Sequence, residues 1–459
     1  MGNPHVLVVP YPVQGHVIPL MELAQCLAKY GIRITFVNSE YNHELLKNES
    51  ALQAANIGDR IRLVSISDGL QSMEDGNQAG RASGSILRVM PGKVEELIER
   101  TNESDSDKIS CIIADQSIGW ALELAEKKGI RRAAFCPAAA ALLVLGFSIP
   151  KLIEDGIIDE NGTPTKRQKI ELSASMPLMD SANFVWNCLG NMEAQKTIFG
   201  LMVRNNKSTK LTKWLLCNSA YDLEPSAFHM APHILPIGPL LASNKLGGDS
   251  TGNFWAKDTT CLEWLDQQAP RSVIYVAFGS IASLEPSQFK ELCVGLELAS
   301  RPFLLVARSD RMLTDGTNGE FVEEFKDRVG NRGKIVSWAP QQEVLGRSAV
   351  GCFLSHCGWN STIESVSNGV PLLCWPCFAD QFINKSYICD VWKVGLGLDK
   401  DENDKVTREE IKNKIEQILE TKEFAARALD LKEKVMNCVK EGGSSHQNFL
   451  NFVDWIKMA

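Results

Sequence analysis

The sequence has no excess of positive charge. Its 48 lysines and arginines are outnumbered by 56 aspartates and glutamates, which gives a net charge of −8 at pH 7. Surfaces that bind nucleic acid or anionic membranes are normally basic. The charge balance therefore argues against these two as main partners, but it does not exclude a local anion site.

Long apolar runs are missing as well. The longest, over residues 133–149, is interrupted by Pro137 and is shorter than the roughly 20 residues of a membrane-spanning helix. We therefore expect a buried strand followed by a packed helix in this region. The thirteen cysteines are scattered and odd in number, which favours reduced, mostly buried thiols in a cytoplasmic protein.

Familiar nucleotide-binding and hydrolase motifs are absent. No GxGxxG follows the first apolar run, and GxxxxGK[ST], HExxH and GxSxG do not occur. The chain has only seven histidines. His229 and His233 have the spacing of one helical turn, but Pro232 lies between them, so we expect no metal site there.

What the sequence does contain is a repeated alternation of apolar strands and amphipathic helices. The strands are predicted at residues 5–9, 32–37, 109–114, 133–135, 272–278, 303–307, 350–354 and 370–373. Alternation in both halves of the chain predicts an α/β protein with two doubly wound domains. We place an N-terminal domain at 1–240, a linker rich in Gly, Ser and Asn at 241–258, a second domain at 259–440 and an amphipathic helix at 441–459.

His16 and Asp115 are the first candidate functional residues. His16 follows the first strand and opens a helix, where the helix dipole should favour a neutral imidazole that can act as a base near pH 7. Asp115 ends a strand at the carboxyl edge of the sheet, where ligands collect in such folds. A hydrogen bond between them would fix the tautomer of the ring. On the residues alone, a solvent-exposed helix-start histidine is an equally good interpretation of His16. Asp115 could also cap the next helix, a role compatible with the first.

The strongest signal lies in residues 338–381. A strand runs into the turn His356-Cys357-Gly358-Trp359-Asn360, and the N–H groups of the helix that follows can bind a phosphate. Trp338 offers a flat face for stacking a base, unless it is a core tryptophan. Asp380 and Gln381 pair a carboxylate with an amide, which suits sugar hydroxyls. For Glu364, the plainer interpretation is a capping box with Ser361, because the two form an S-x-x-E pattern.

Residues 338–381 resemble the signature box of the plant secondary-product glycosyltransferases, from Trp338 through HCGWNS to the final Asp-Gln. Further matches are PVQGH near the start, the IIAD strand, NSAYDLEP, IGPL, FGS and GGSS. Over its whole length, the chain is therefore similar to the family 1, UDP-sugar-dependent glycosyltransferases of plants.

The resemblance implies the GT-B fold, in which two Rossmann-like domains face each other across a cleft. The N-terminal domain would hold the acceptor, the C-terminal domain the UDP-sugar, and the last helix would cross back to the N-terminal domain. It also implies that His16 is the catalytic base and Asp115 its partner.

The resemblance further implies a donor site without metal or cofactor, in which UDP-glucose is a co-substrate. Trp338 and Ala339 would bind its uracil, and Gln341 and Glu364 its ribose. The diphosphate would be bound by Ser280, His356, Asn360 and Ser361, and the sugar by Trp359, Asp380 and Gln381.

Three positions depart from the family pattern. Arg347 stands where the box usually has histidine, and we expect it to be peripheral to the ligand. Residues 137–141 lack the Ser or Thr that many relatives place near the 6-hydroxyl of the sugar. Gln14 stands where some relatives have serine.

The expected function is inverting, metal-independent transfer of glucose from UDP-glucose to a hydroxyl of a small lipophilic plant metabolite. A flavonoid, another phenolic or a terpenoid would give a β-glucoside and UDP. The enzyme would be a cytoplasmic monomer, and the apolar stretch 176–186 would lie near the acceptor mouth. Two alternatives are a UDP-sugar isomerase on the same fold and a catalytically silent nucleotide-sugar binder. The presence of both PVQGH and Asp115 argues against the isomerase, and the intact His16, Asp115 and Gln381 argue against the silent binder.

Overall fold

The computed structural model describes residues 4–40, 60–69, 79–188, 191–240, 258–280, 282, 284–307 and 317–458. The chain divides into two compact units. The first comprises Met1–Trp255, Phe378–Asp380 and Val435–Ala459, and the second comprises Ala256–Cys377 and Gln381–Lys434. Of the linker predicted at 241–258, only Asp258 lies among the described residues.

The first unit is built on a parallel sheet of seven strands. In chain order, its strands and one short antiparallel pair (β6 and β7) are β1 (His5–Val9), β2 (Arg33–Ser39), β3 (Ile61–Ile66), β4 (Cys111–Asp115), β5 (Arg131–Cys136), β6 (Lys169–Ile170), β7 (Met179–Asp180), β8 (Leu215–Cys217) and β9 (Ile234–Pro236). The spatial order is β3-β2-β1-β4-β5-β8-β9. The order reverses between β1 and β4, so the chain segments that leave these two strands diverge there.

Helices cover this sheet. They are α1 (Gln14–Lys29), α2 (Ala79–Asn102), α3 (Trp120–Lys127), α4 (Ala140–Phe147), α5 (Ile149–Glu154), α6 (Met192–Ser208) and α7 (Pro225–Met230). In α1, Leu20, Leu23 and Leu27 repeat at helical spacing and are fully buried in the core of the unit. The helix stops before Gly31, whose φ of +88° is accessible to glycine at little cost. The predicted buried strand and packed helix over 133–149 are confirmed as β5 and α4.

The second unit repeats the design with a parallel sheet of six strands. These are β10 (Val273–Ala277), β11 (Phe303–Val306), β12 (Gly333–Val336), β13 (Val350–Ser355), β14 (Leu372–Cys374) and β15 (Gly395–Gly397). Their order is β12-β11-β10-β13-β14-β15. The reversal point lies between β10 and β13, where Ala277 is in register with Ser355. The segments FGS and HCGWNS both start at this point.

The helices of the second unit and of the chain end complete the fold. They are α8 (Thr260–Asp266), α9 (Pro286–Ala299), α10 (Thr317–Val329), α11 (Gln341–Leu345), α12 (Trp359–Asn368), α13 (Gln381–Ser386), α14 (Arg408–Glu420), α15 (Lys422–Val439) and α16 (Ser444–Lys457). A π-helical turn, Tyr387–Val391, follows α13. The helix predicted to start at Ser361 starts two residues earlier, at Trp359. The strand predicted at 370–373 is shifted to β14.

Helix α16 belongs to the first unit. Its apolar side chains Phe449, Phe452, Val453 and Ile456 are part of the same buried cluster as the leucines of α1. The guanidinium of Arg131 in β5 lies 4.0 Å from the ring centroid of Trp455. The amphipathic pattern of the last helix therefore serves to cover the first sheet.

All thirteen cysteines are free, and none is exposed, as the sequence predicted. Within the described ranges, no helix is both long enough and apolar enough to cross a membrane.

Candidate active site

His16 and Asp115 meet at the reversal point of the first sheet. Asp115 is the last residue of β4, and His16 lies in the first turn of α1, just after the neighbouring β1. His16 Nδ1 is 2.7 Å from Asp115 Oδ2. The carboxylate is fully buried, whereas the histidine side chain is 27% exposed. With its proton on Nδ1, the imidazole has a free lone pair on Nε2 that can take a proton from a hydroxyl group.

Asp115 also acts as a helix cap, which was the plainer interpretation of this residue. Its Oδ1 accepts a hydrogen bond of 2.8 Å from the backbone N–H of Ser117 and thereby caps the short 3₁₀ turn Gln116–Ile118. One oxygen holds the turn and the other holds the histidine. The carboxylate is therefore fixed in place before any substrate binds.

The pKa of His16 is raised above its ordinary value of 6.5. Burial alone would lower the pKa, but the charge and hydrogen bond of Asp115 and the charge of Asp380 outweigh it. This net shift is opposite in direction to the lowering that the helix dipole alone predicted from the sequence. The two carboxylates stabilise the imidazolium, which is the form that a base reaches once it has taken a proton.

Asp380 belongs to a short segment, Phe378–Asp380, that is grouped with the first unit. Cys188 Sγ accepts a hydrogen bond of 3.1 Å from the N–H of Ala379, a residue with a left-handed φ of +57°. Gln381, the next residue, is grouped with the second unit. The structure therefore assigns the two members of the predicted sugar-binding pair to different units. No sequence pattern predicted that Cys188 contacts this segment.

The turn after β13 is built to bring backbone close to His356. Cys357 has a left-handed φ of +65°, and its N–H donates to Ser355 Oγ at 3.1 Å. Gly358 is the N-cap of α12. A Cβ atom on Gly279 or on Gly358 would lie only 2.7 or 2.5 Å from His356 Nε2. Both glycines are therefore needed for the backbone to pack against this ring.

His356 carries no charge at neutral pH, because burial lowers its pKa to about 4. It can offer a hydrogen bond to a phosphate but not a full positive charge. The N-terminal end of α12, with its outward-pointing N–H groups, supplies the positive potential at this turn. Asn360 and Ser361 lie in that first turn, and Ser280 follows β10 at the neighbouring strand end.

Four side chains of the second unit form an "amide cluster": Tyr275, Gln341, Ser361 and Glu364. Gln341 Nε2 donates to Ser361 Oγ at 2.9 Å and also to Glu364 Oε2. The hydroxyl of Tyr275 donates to Gln341 Oε1 at 3.0 Å. Three of these residues were expected from the sequence, but Tyr275 was not.

The capping box predicted for Ser361 and Glu364 is wrong. Helix α12 begins at Trp359 with Gly358 as N-cap and no side-chain cap, so Ser361 lies inside the helix and cannot cap it. Burial raises the pKa of Glu364 to about 7, although hydrogen bonds from Gln341 and Gln342 act in the opposite direction. A buried acid with such a pKa outside a capping motif is a candidate for ligand binding.

Two tryptophans of the box have different environments. Trp338 follows β12 and is half-buried, so it is not a core tryptophan, while the adjacent Ala339 is buried. Trp359 is only 3% exposed, and its ring centroid is 6.4 Å from that of Trp392. The indole of Trp359 thus packs inside the second unit, and its backbone at the start of α12 is the part that can face a ligand.

Gln381 is buried at the start of α13. Its Oε1 accepts a hydrogen bond of 2.7 Å from the N–H of Cys377, which orients the amide.

Cys377 and Cys374 form a Cys-x-x-Cys pair of free thiols. Across the described residues, no three His, Cys, Asp or Glu side chains group as metal ligands. Arg347, which is half-buried, pairs with the exposed Asp266 at 3.0 Å.

The aromatic part of the stretch 176–186 is buried inside the first unit. Trp186 Nε1 donates to the carbonyl of Gly162 at 2.7 Å, and its ring contacts Phe184 and Phe199. These three rings form a buried aromatic cluster. Leu178, by contrast, is 51% exposed.

The comparisons with known proteins agree with this architecture. The family model described as UDP-glucoronosyl and UDP-glucosyl transferase matches residues 234–436. UDP-glycosyltransferase 83A1 of Arabidopsis thaliana is 52% identical over 465 residues, covering 100% of this chain and 97% of that protein. The 7-deoxyloganetic acid glucosyltransferase of Catharanthus roseus is 34% identical, with 99% of this chain and 97% of that protein covered.

Solved structures show the same fold. Os79 from O. sativa in complex with UDP superposes with a TM-score of 0.81 at 26% identity, covering 98% of this chain and 100% of that chain. A UDP-glucose: anthocyanidin 3-O-glucosyltransferase in complex with UDP gives a TM-score of 0.83 at 26% identity over 100% of both chains. With its two parallel-sheet, Rossmann-like domains the chain has the GT-B fold. It belongs to plant family 1 of the UDP-glycosyltransferases, enzymes that transfer a sugar from a UDP-sugar to plant metabolites.

Proposed function

We propose that this enzyme transfers glucose from UDP-glucose to a hydroxyl of a small lipophilic metabolite, with inversion at the anomeric carbon. The observation that carries the proposal is the 2.7 Å contact between His16 Nδ1 and Asp115 Oδ2. This contact orients the lone pair of His16 Nε2 and stabilises the imidazolium. Such a pair is what deprotonation of an acceptor hydroxyl requires.

In the proposed reaction, His16 Nε2 takes the proton of the acceptor hydroxyl while its oxygen attacks C1 of the sugar from the face opposite UDP. The bond between C1 and the diphosphate oxygen breaks, and UDP leaves with the electron pair. The products are a β-glucoside, UDP and a proton, which His16 returns to solvent. Attack from the opposite face inverts the configuration at C1.

We assign the donor site to the second unit. There, the start of α12, with Asn360, Ser361 and His356, would meet the charge that develops on the leaving diphosphate. Because backbone dipoles and neutral donors supply this stabilisation, we propose that neither metal nor cofactor is required. Trp338 and Ala339 would bind uracil, and Gln341 and Glu364 would bind the ribose.

For the donor sugar, we propose glucose. Two of the relatives are named for glucosyl transfer, and the amide of Gln381 is held in one orientation by Cys377. An oriented amide can distinguish an equatorial from an axial 4-hydroxyl, which is the only difference between glucose and galactose. For the acceptor, we propose a flavonoid, another phenolic or a terpenoid.

The test is incubation with UDP-glucose and a mixture of hydroxylated flavonoids, simple phenols and terpenoid alcohols, followed by mass spectrometry. The expected product is an acceptor heavier by one hexose, with a β-anomeric proton in its NMR spectrum. The His16→Ala variant serves as the matched control. An isomerised sugar nucleotide, or binding of UDP-glucose without any product, would instead support one of the two alternatives.

A further inference from the structure

Tyr275 is an unexpected residue at its position. Strand β10 has the sequence VIYVA and is buried along its whole length. Its four other side chains are aliphatic. A buried hydroxyl costs free energy unless it finds a hydrogen-bond partner. Phenylalanine would fill the same space without that cost. The hydroxyl of Tyr275 therefore calls for an explanation beyond packing.

The hydroxyl has one defined partner, Oε1 of Gln341, at 3.0 Å. The ring that carries it is held by a stacked contact with Phe353, with centroids 4.7 Å apart and planes inclined by 27°. Burial raises the pKa of Tyr275 well above its ordinary value, so the phenol keeps its proton and acts as a donor. Strands β10 and β13 thus present a fixed donor to the amide of Gln341.

A fixed donor on Oε1 decides which way the amide points. With Oε1 toward Tyr275, Nε2 faces Ser361 and Glu364 and donates to both. A flipped amide would place its oxygen against the Glu364 carboxylate, where two acceptors would face each other. The hydroxyl of Tyr275 therefore stabilises this orientation of Gln341 and, through it, the position of the Glu364 carboxylate.

We propose that Tyr275 is a positioning residue of the donor site, which orients Gln341 and Glu364 for the ribose hydroxyls of the UDP-sugar. The inference rests on the proposed binding of ribose by these two residues. Tyr275 itself lies behind them and acts through the amide. Its effect should consequently appear in the recognition of the ribose and not in the chemical step.

The experiment compares the Kd of UDP with that of 2′-deoxy-UDP by isothermal titration calorimetry in the wild type and in Tyr275→Phe. The wild type should prefer UDP, and Tyr275→Phe should reduce this preference by about three- to tenfold, the range expected for one neutral hydrogen bond. The KM for UDP-glucose should rise while kcat at saturating donor stays within about twofold of the wild type. An unchanged preference for UDP would overturn the proposal.

Ser365→Ala is the matched control. It also removes a buried hydroxyl from the second unit, one that donates to the carbonyl of Val370 at 2.8 Å and lies outside the amide cluster. Its loss should lower stability and leave the preference for UDP over 2′-deoxy-UDP unchanged. If Ser365→Ala reduced the preference as much as Tyr275→Phe did, a general loss of stability would explain both, and the proposal would fail.

Two further variants separate this inference from the proposed ribose site. If Glu364→Ala keeps the wild-type preference for UDP, the ribose assignment itself is wrong. If Glu364→Ala loses the preference and Tyr275→Phe keeps it, only the role of Tyr275 is refuted. In a Gln341→Ala background, Tyr275→Phe should have no additional effect on the preference, because Tyr275 acts through that amide. An equal effect in both backgrounds would contradict this route.

Discussion

Glu364 should make UDP binding depend on pH in the neutral range. Burial raises its pKa to about 7 in the protein without ligand, so near neutrality the side chain is about half protonated. Ribose hydroxyls that donate hydrogen bonds favour the ionised carboxylate. Binding of UDP should therefore expel the proton, and the affinity should increase as the pH rises through about 7.

The magnitude follows from the raised pKa. Between about pH 8 and about pH 6, the ionised fraction of an acid with a pKa of about 7 falls from about nine-tenths to about one-tenth. If only the ionised form binds ribose fully, the affinity for UDP falls about tenfold over this interval, which is about 1.4 kcal/mol. Glu364→Gln cannot ionise and should lack this component.

The same pKa predicts an opposite trend for stability. Because the folded state holds the Glu364 proton more tightly than the unfolded chain does, the free energy of unfolding should decrease as the pH rises from about 4.5 to about 7. At 1.36 kcal/mol per pKa unit, the complete loss is about 3 kcal/mol. In Glu364→Gln this decrease should be absent.

The assay is calorimetric titration with UDP at several pH values, for the wild type and Glu364→Gln in parallel. Protonation of the UDP phosphate contributes equally to both proteins, so the difference between the two curves isolates Glu364. Repeating the titration in buffers with different ionisation enthalpies gives the number of protons released. Parallel affinity curves for the two proteins would refute a titrating Glu364 in contact with the ligand.

Three other predictions concern the chemistry and the sugar. Asp115→Asn should lower kcat by about 10²- to 10⁴-fold while the Kd for UDP is kept, because the base loses its orienting anion; near-normal turnover would contradict the role of Asp115. Asp380→Asn should move the acidic limb of the kcat/KM profile to lower pH, since the carboxylate raises the pKa of His16; a limb that does not move would refute this coupling. Gln381→Ala should shrink a wild-type preference for UDP-glucose over UDP-galactose of at least about tenfold, mainly by lowering the glucose rate. A wild type that uses both donors equally would overturn that assignment.

The sequence was most informative where a rule of topology applies. His16 and Asp115 lie far apart in the chain, yet Asp115 ends and His16 follows a strand whose sequence is typical of a buried parallel strand, so both were expected at one sheet edge. The structure brings them to within hydrogen-bonding distance because β1 and β4 are neighbours. The same reasoning led to the turn after β13.

Sequence reasoning failed where partners come from distant segments. The S-x-x-E pattern at Ser361 is present in the sequence, but helix α12 begins two residues earlier, with Gly358 as its N-cap. Gln341 donates hydrogen bonds to both side chains of the pattern instead. The raised pKa of His16 comes chiefly from the charge and hydrogen bond of Asp115, to which the charge of Asp380 adds. No local sequence pattern encodes the position of Asp380 relative to the histidine.

The proposed reaction requires that His16 takes the proton of the acceptor. The most direct test measures kcat/KM of the wild type and of His16→Ala with UDP-glucose and a series of hydroxylated acceptors of increasing acidity. We expect His16→Ala to be about 10²- to 10⁴-fold slower than the wild type on the least acidic hydroxyls, with an unchanged Kd for UDP. The difference in rate should narrow as the hydroxyl becomes able to ionise unaided. Near-normal turnover of His16→Ala on the least acidic alcohol would contradict this role of His16.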